Sequence, residues 1–185
     1  MKEFTDISKT GGSYGRTDEQ KFWHQFVGNL YKNKRILDVG AGLGLSKARL
    51  GVNGNSVTLQ DVAPNLPIDL NCSIDHVLDD AFDVVTAFDV LEHVEKDTDF
   101  LTQLTRIAKE NVVFTTPNYN ISKNANPCHV REYTPEEIVE LVKPYKVECY
   151  LIGNGKGDNA KLVKDIDVFL KHNQEHHGVI LNVTT

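Results

Sequence analysis

The sequence predicts an α/β protein, with a mostly parallel seven-stranded sheet and helices on both faces. Three observations carry this. Strand-like apolar runs alternate with helical patterns from residue 35 onward, the order expected of βαβ units. The runs "FDVVTAF" (82–88) and "NVVFTT" (111–116) are nearly continuous in apolar character, as strands covered on both faces are. Finally, "RILDVGAGLGLSKARL" (35–50) leads a strand into three glycines spaced two apart and then into a helix.

The elements follow in order. In "TDEQKFWHQFVGNLY" (17–31), Phe22, Trp23, Phe26, Val27, Leu30 and Tyr31 recur at helical spacing behind a Thr17 cap, which predicts an amphipathic first helix. The preceding "SKTGGSYGR" is rich in Gly and Ser and is expected to be mobile, either a frayed terminus or a lid over a ligand. Residues 1–34 are therefore expected to form a mobile segment and capping helix, and 35–185 the cofactor-binding domain. Strands are predicted at 35–40, 56–61, 67–71, 82–88, 111–116 and 146–152, with a closing strand in "GVILNVTT". Helices are predicted at 44–51, 97–109 and 159–172. A further helix starts at Thr134, with Pro135 in its first turn and Pro144 as its stop.

The 185 residues suit one well-buried domain, and 40% hydrophobic with 25% charged residues suit an ordinary globular chain. A net charge of -6 and a pI near 5.6 argue against a dominant phosphate-backbone partner, leaving room for a small basic patch. Cys72, Cys128 and Cys149 are odd in number and widely spaced, so neither a disulfide framework nor a zinc site is expected. No apolar signal core or membrane-length apolar run occurs, so a cytoplasmic location away from membranes is expected.

A strand ending in glycines before a helix lets a ligand approach bare backbone and free N–H groups. Gly40, Gly42 and Gly44 give G-x-G-x-G rather than the G-x-G-x-x-G that seats a pyrophosphate, since Leu45 and Ser46 follow. Asp38, two residues before the first glycine, would repel a phosphate but suits an ammonium group. The expected ligand is cationic at that end.

Together "LDVGAGLG", "VTLQD" (57–61), "FDVVTAFDVLEHV" (82–94) and "VVFTTPN" (112–118) make residues 35–145 resemble the class I S-adenosylmethionine (SAM)-dependent methyltransferases. The resemblance implies their Rossmann-like fold and SAM as cofactor. It implies that Asp38 to Gly44 hold the methionyl part, that Asp61 accepts from the ribose hydroxyls, and that Phe88 belongs to the same cofactor-binding set. Asn71 falls where the family usually carries an acid facing the adenine amino group, and its amide oxygen could still accept. Glycines that merely turn the chain, a SAM-binding protein without catalysis, and a nicotinamide dehydrogenase are the competing readings.

Methyl transfer from a sulfonium needs positioning and exclusion of water, and a hydroxyl acceptor also needs a base or a metal. Candidates gather at the end of the fourth strand, the reactive edge of open α/β sheets. Asp89, Glu92 and His93 lie there, and His129 in "CHVREYTPEEI" follows the fifth strand.

The resemblance to small-molecule and sugar methyltransferases, through "LEHV", "TPN" and H-x-R-E-[FY]-T, implies a metal-free His93 as base or hydrogen-bonder, with His129 as its companion. The partial resemblance to Hen1-type RNA 3'-terminal 2'-O-methyltransferases implies instead a divalent ion held by Asp89, Glu92, His93 and His129. There Asp89 replaces an expected Glu and Tyr133 a Trp. The acidic charge favours the metal-free reading, with a small-molecule or glycan acceptor. The polar segment 118–133 is the expected substrate loop, with Arg131 and Glu132 either an ordinary surface pair, the reading preferred, or a pair that orients a polar substrate. The histidines of "HNQEHHGV" (172–179) are expected to be a solvated turn.

Overall fold

The computed structural model describes residues 18–152 and 161–183. The first helix, α1, spans Asp18–Leu30, so the Thr17 cap and the Gly/Ser-rich stretch lie outside the described residues. Then come β1 (Arg35–Val39), α2 (Lys47–Leu50), β2 (Ser56–Asp61), β3 (Leu70–Asn71) and β4 (Phe82–Phe88). These are followed by α3 (Asp97–Ile107), β5 (Ala108–Pro117), α4 (Tyr119–Ser122), α5 (Pro135–Val142), β6 (Lys146–Ile152), β7 (Lys161–Val163), α6 (Ile166–Leu170) and β8 (His176–Asn182).

The strands form one sheet in the order β3-β2-β1-β4-β5-β8-β6-β7. Pairing is parallel from β3 through β5, and β8 runs antiparallel to both β5 and β6. The seven expected strands are all present. The eighth, β7, adds a short antiparallel edge beside Tyr150–Ile152. It lies in a region the sequence predicts as helix at 159–172, where the helix proper is only α6. The apolar spacing of "DIDVFL" serves five residues, and the edge hydrogen bonds of β6 recruit the residues before it.

Period-two alternation divides the core. Leu37, Val85, Phe114 and Leu181 face α3, α5 and α6 on one side of the sheet, with Leu101, Leu104, Ile138 and Phe169 among their neighbours. Ile36, Val84, Val113 and Ile180 face the other way, against Trp23 and Val27 of α1, Tyr31 just after it, and Leu50 of α2. Trp23, His24 and Val27 on α1 and Tyr31 just beyond it are buried while Leu30 is 44% exposed, so the covered stripe lies one step round from the simplest apolar reading.

Local chemistry explains how α1 and α2 meet. A Cβ at Gly28 would lie 2.1 Å from the Arg49 carbonyl oxygen, so only glycine permits the approach. Asn55 then donates from its buried amide to the carbonyls of Gly28, Tyr31 and Leu50, satisfying groups that helix ends leave unpaired. On the far side, α5 begins as expected: Thr134 and Glu137 form a reciprocal capping box, with Pro135 in the first turn.

Candidate active site

The strand register sets the cofactor edge. Asp38 on β1 pairs with Thr86 on β4, and both point to the α1 face with Ile36, Val84 and Phe88. The Asp38 carboxylate accepts from Ser46 Oγ (2.5 Å) and Thr86 Oγ1 (2.7 Å). Burial raises its pKa, opposed by the nearby His24 and by these two donors.

The glycine loop follows directly. Gly40, Gly42 and Gly44 have φ of 69°, 53° and 71°, the left-handed region where a side chain is strained. Gly40 is bare for a second reason, because a Cβ there would lie 2.5 Å from Val90 Cγ2. Gly42 donates its N–H to Asp61 Oδ2 (2.9 Å), while Ala63 N–H meets Oδ1 (2.8 Å). The residue that ends β2 therefore holds the loop after β1, and each of its oxygens keeps a further lone pair for a ligand. Asn71 spends its amide hydrogens on the carbonyls of Asp61 (3.0 Å) and Ala63 (2.7 Å), which leaves its oxygen as an acceptor.

Phe88, at the end of β4, meets His24 of α1 edge-on at 4.9 Å between ring centroids. His24 escaped the reading of the sequence. The available signal was a polar residue inside the i, i+3, i+4, i+7 stripe that includes Trp23 and Val27.

The second half of the site begins where β4 ends. Asp89 takes a left-handed φ of 53°, and its carboxylate accepts from Thr115 Oγ1 (2.8 Å) and Gln20 Nε2 (2.9 Å). The chain then makes a 3-10 turn over Leu91–His93. The carbonyl of Glu92 in this turn accepts from the N–H groups of Val130 (2.8 Å) and Arg131 (3.2 Å). That tether brings the 118–133 segment over the sheet edge, and His93 and His129 meet with ring centroids 4.9 Å apart.

Each imidazole is oriented by its own anchor. His93 Nδ1 lies 3.1 Å from the Cys128 carbonyl, which can only accept, so Nδ1 carries the proton and Nε2 the lone pair. Burial lowers the His93 pKa and keeps the ring neutral. His129 Nδ1 donates to Glu132 (2.6 Å), and its Nε2 accepts from the Asn126 amide (2.9 Å).

Glu132 corrects the expected surface pair. It is only 4% exposed and gathers Ser122 Oγ, the Asn124 N–H and His129, whereas Arg131 pairs with Asp97 and Glu137. Burial alone would raise the Glu132 pKa, but these donors bring it below the ordinary carboxylate range.

Glu92, His93 and His129 bring ligand atoms within 4.8 Å of one another, the one group of this kind among the described residues, and Asp89 is not part of it. Burial, then the Asp89 charge, raises the Glu92 pKa well above the usual carboxylate value.

The histidine tract is likewise not a solvated turn. His177, the second residue of β8, is fully buried, donating from Nε2 to the Tyr133 carbonyl (2.8 Å) and accepting at Nδ1 from His172 (2.9 Å). Burial lowers its pKa to about 3. The sequence could not indicate this, because it depends on the pairing of β8 with β5.

The parallel sheet with a reversed β8, the glycine loop after β1 and the acid ending β2 define a Rossmann-like methyltransferase fold. The chain belongs to the methyltransferase domain family, whose model matches residues 14–173, and the cofactor of this class of enzyme is SAM. A SAM-dependent methyltransferase from Aquifex aeolicus shares the fold with a TM-score of 0.63 at 16% identity, covering 98% of this chain and 99% of that one. Magnesium protoporphyrin IX methyltransferase from Synechocystis, solved with bound SAH, gives 0.59 at 13%, covering 92% and 87%. In sequence, the mitochondrial ubiquinone biosynthesis O-methyltransferase of Schizosaccharomyces pombe is 35% identical across 45% of this chain, a match spanning 37% of that relative. No helix among the described residues is long and apolar enough to cross a membrane.

Proposed function

We propose that this methyltransferase transfers the methyl group of SAM to a hydroxyl oxygen of a small molecule, with His93 as the base. The observation that carries the reading is the anchoring of His93 Nδ1 by the Cys128 carbonyl, which presents a neutral Nε2 lone pair at the sheet edge. The similarity to an O-methyltransferase of ubiquinone biosynthesis favours a small-molecule hydroxyl over a glycan one. That relative is mitochondrial by name, and for this chain we infer action in the cytoplasm from the readings of the sequence.

The bound cofactor supplies an electrophilic methyl group on a sulfonium. Around it, Asp38, Gly40, Gly42 and Gly44 hold the methionyl portion, Asp61 the ribose hydroxyls, Asn71 and Phe88 the adenosine side. The spare lone pairs of Asp61 and the free amide oxygen of Asn71 fit those roles. His93 takes the hydroxyl proton at Nε2 as the oxygen attacks in line, and Glu132 fixes His129 beside it. The helix α1 caps one side of the site.

The test is SAH release from SAM in the presence of the small-molecule fraction of a cell extract. Release that His93→Ala removes supports the reading, and SAM binding without any release would make the chain a non-catalytic SAM-binding protein.

A second reading is favoured by the grouping of Glu92, His93 and His129, in which each imidazole has Nδ1 held by an oxygen as metal-bound histidines do. A divalent ion there would ionise Glu92 and could lower the pKa of a substrate hydroxyl. Asp89 lies outside the group, so the four-ligand set of the RNA-modifying family is incomplete. Loss of activity with EDTA and its return with magnesium or manganese would establish this reading over the first.

A further inference from the structure

His24 has no part in the account so far, yet it sits over the cofactor edge. It projects from α1 onto the sheet face that carries Asp38, Thr86 and Phe88, touching the Phe88 ring. It is 6% exposed, and among the described residues no hydrogen-bond partner meets its Nδ1. A buried polar nitrogen left unpaired is costly, so a site that retains one beside a ligand edge points to a ligand that completes it.

The surroundings indicate which part of the ligand. Asp38 and Asp89 draw the ring toward its charged form, Arg49 opposes them, and burial outweighs all three, so the imidazole is neutral. A neutral imidazole nitrogen in the field of two carboxylates suits an ammonium donor, and the cofactor carries one on its amino-acid portion.

We propose that His24 binds the α-amino-acid head of the cofactor, meeting it through Nδ1 from the α1 side while Asp38 and the glycine loop face it from the sheet. The proposal rests on the SAM reading above. It makes α1 a wall of the binding site rather than only a cover for the core, and gives the cap a chemical role. Its chemistry is hydrogen bonding alone; no bond is made or broken.

Trp23, the neighbour of His24 and the sole tryptophan of the chain, provides an intrinsic fluorescence signal. Binding of two probes is measured by fluorescence and by calorimetry: SAH, which carries the amino-acid head, and 5'-methylthioadenosine, the same nucleoside thioether without it. His24→Phe keeps an aromatic ring against Phe88 but removes Nδ1. His24→Asn keeps a polar atom near the Nδ1 position, and His24→Gln shifts it outward by one carbon.

The expected result is SAH affinity about 10- to 150-fold weaker in His24→Phe, consistent with the loss of one hydrogen bond to a charged group. Affinity for 5'-methylthioadenosine should be unchanged, and His24→Asn should recover more SAH affinity than His24→Gln. If His24→Phe does not fold by circular dichroism, the Asn and Gln variants carry the same contrast. Equal weakening of both probes, or no weakening of SAH, would overturn the assignment. Failure of the wild-type chain to bind either probe would overturn the SAM reading beneath it.

Discussion

The proposed cofactor edge and the proposed acceptor edge of the site are built from different materials. At the first, each functional group sits on a strand or within a few residues of one. Asp38 is fixed by its pairing with Thr86, and Asp61 by the N–H groups of Gly42 and Ala63. At the second, His93 and His129 come from a single 3-10 turn and a loop, joined through the Glu92 carbonyl and held by Glu132. A parallel sheet fixes positions to within the spacing of its ladder, whereas a loop can be re-cut without disturbing the fold. The comparison teaches that the proposed cofactor groups are held by the sheet itself, and the proposed acceptor groups by a loop laid across its edge.

If that division is right, damage at the acceptor edge should stop turnover and leave cofactor affinity intact. His93→Ala is expected to lower turnover by roughly two to four orders of magnitude. EDTA should have no effect on the wild-type enzyme, and the measurement is SAH release against time. Equal sensitivity of His93→Ala and His129→Ala, together with EDTA inactivation, would replace the base by an ion.

Damage at the glycine loop should do the reverse. Gly42→Val puts a β-branched residue at φ 53° and perturbs the N–H that Asp61 receives. SAM affinity should fall by about a hundredfold or more. Normal calorimetric binding by this variant would reduce the loop to a turn.

Asp61→Ala is expected to be milder, weakening SAM by roughly 1 to 3 kcal/mol, about 5- to 150-fold. Part of that loss comes through the glycine loop itself, since the carboxylate holds Gly42 in place. Asp61→Asn, which keeps an acceptor oxygen, should fall between wild type and alanine.

The remaining effect is on stability, at the residues behind the proposed acceptor edge. His177 has a pKa near 3 in the fold against an ordinary 6.5, so below pH 6.5 the unfolded chain takes up a proton that the fold refuses. Its contribution is complete above pH 6.5 and is lost between 6.5 and 3, at roughly 1.4 kcal/mol per pH unit at most. His24, His93 and His172 are lowered by burial and act with the same sign. Urea unfolding at pH 7.5 and pH 5 should show a larger difference for wild type than for His177→Leu.

The same contrast explains what was legible in the sequence. The glycine loop and the Thr134 cap are local in sequence, so spacing located them, and Asp61 followed from the family resemblance at the end of the second strand. Glu132 looked like a surface charge because its partners Ser122, Asn124 and His129 gather only once the loop folds. The buried His177 depends on partners across the sheet, and β7 on an edge that another strand provides. His24 lay in plain view on α1, but the apolar periodicity around it drew attention to its neighbours.

The most direct test of the division between the two edges needs no knowledge of the acceptor. SAM is titrated calorimetrically into the wild-type chain, Asp61→Ala and His93→Ala. The account predicts that Asp61→Ala binds about 5- to 150-fold more weakly while His93→Ala binds as wild type does. It would be contradicted if Asp61→Ala kept full affinity, or if His93→Ala lost as much.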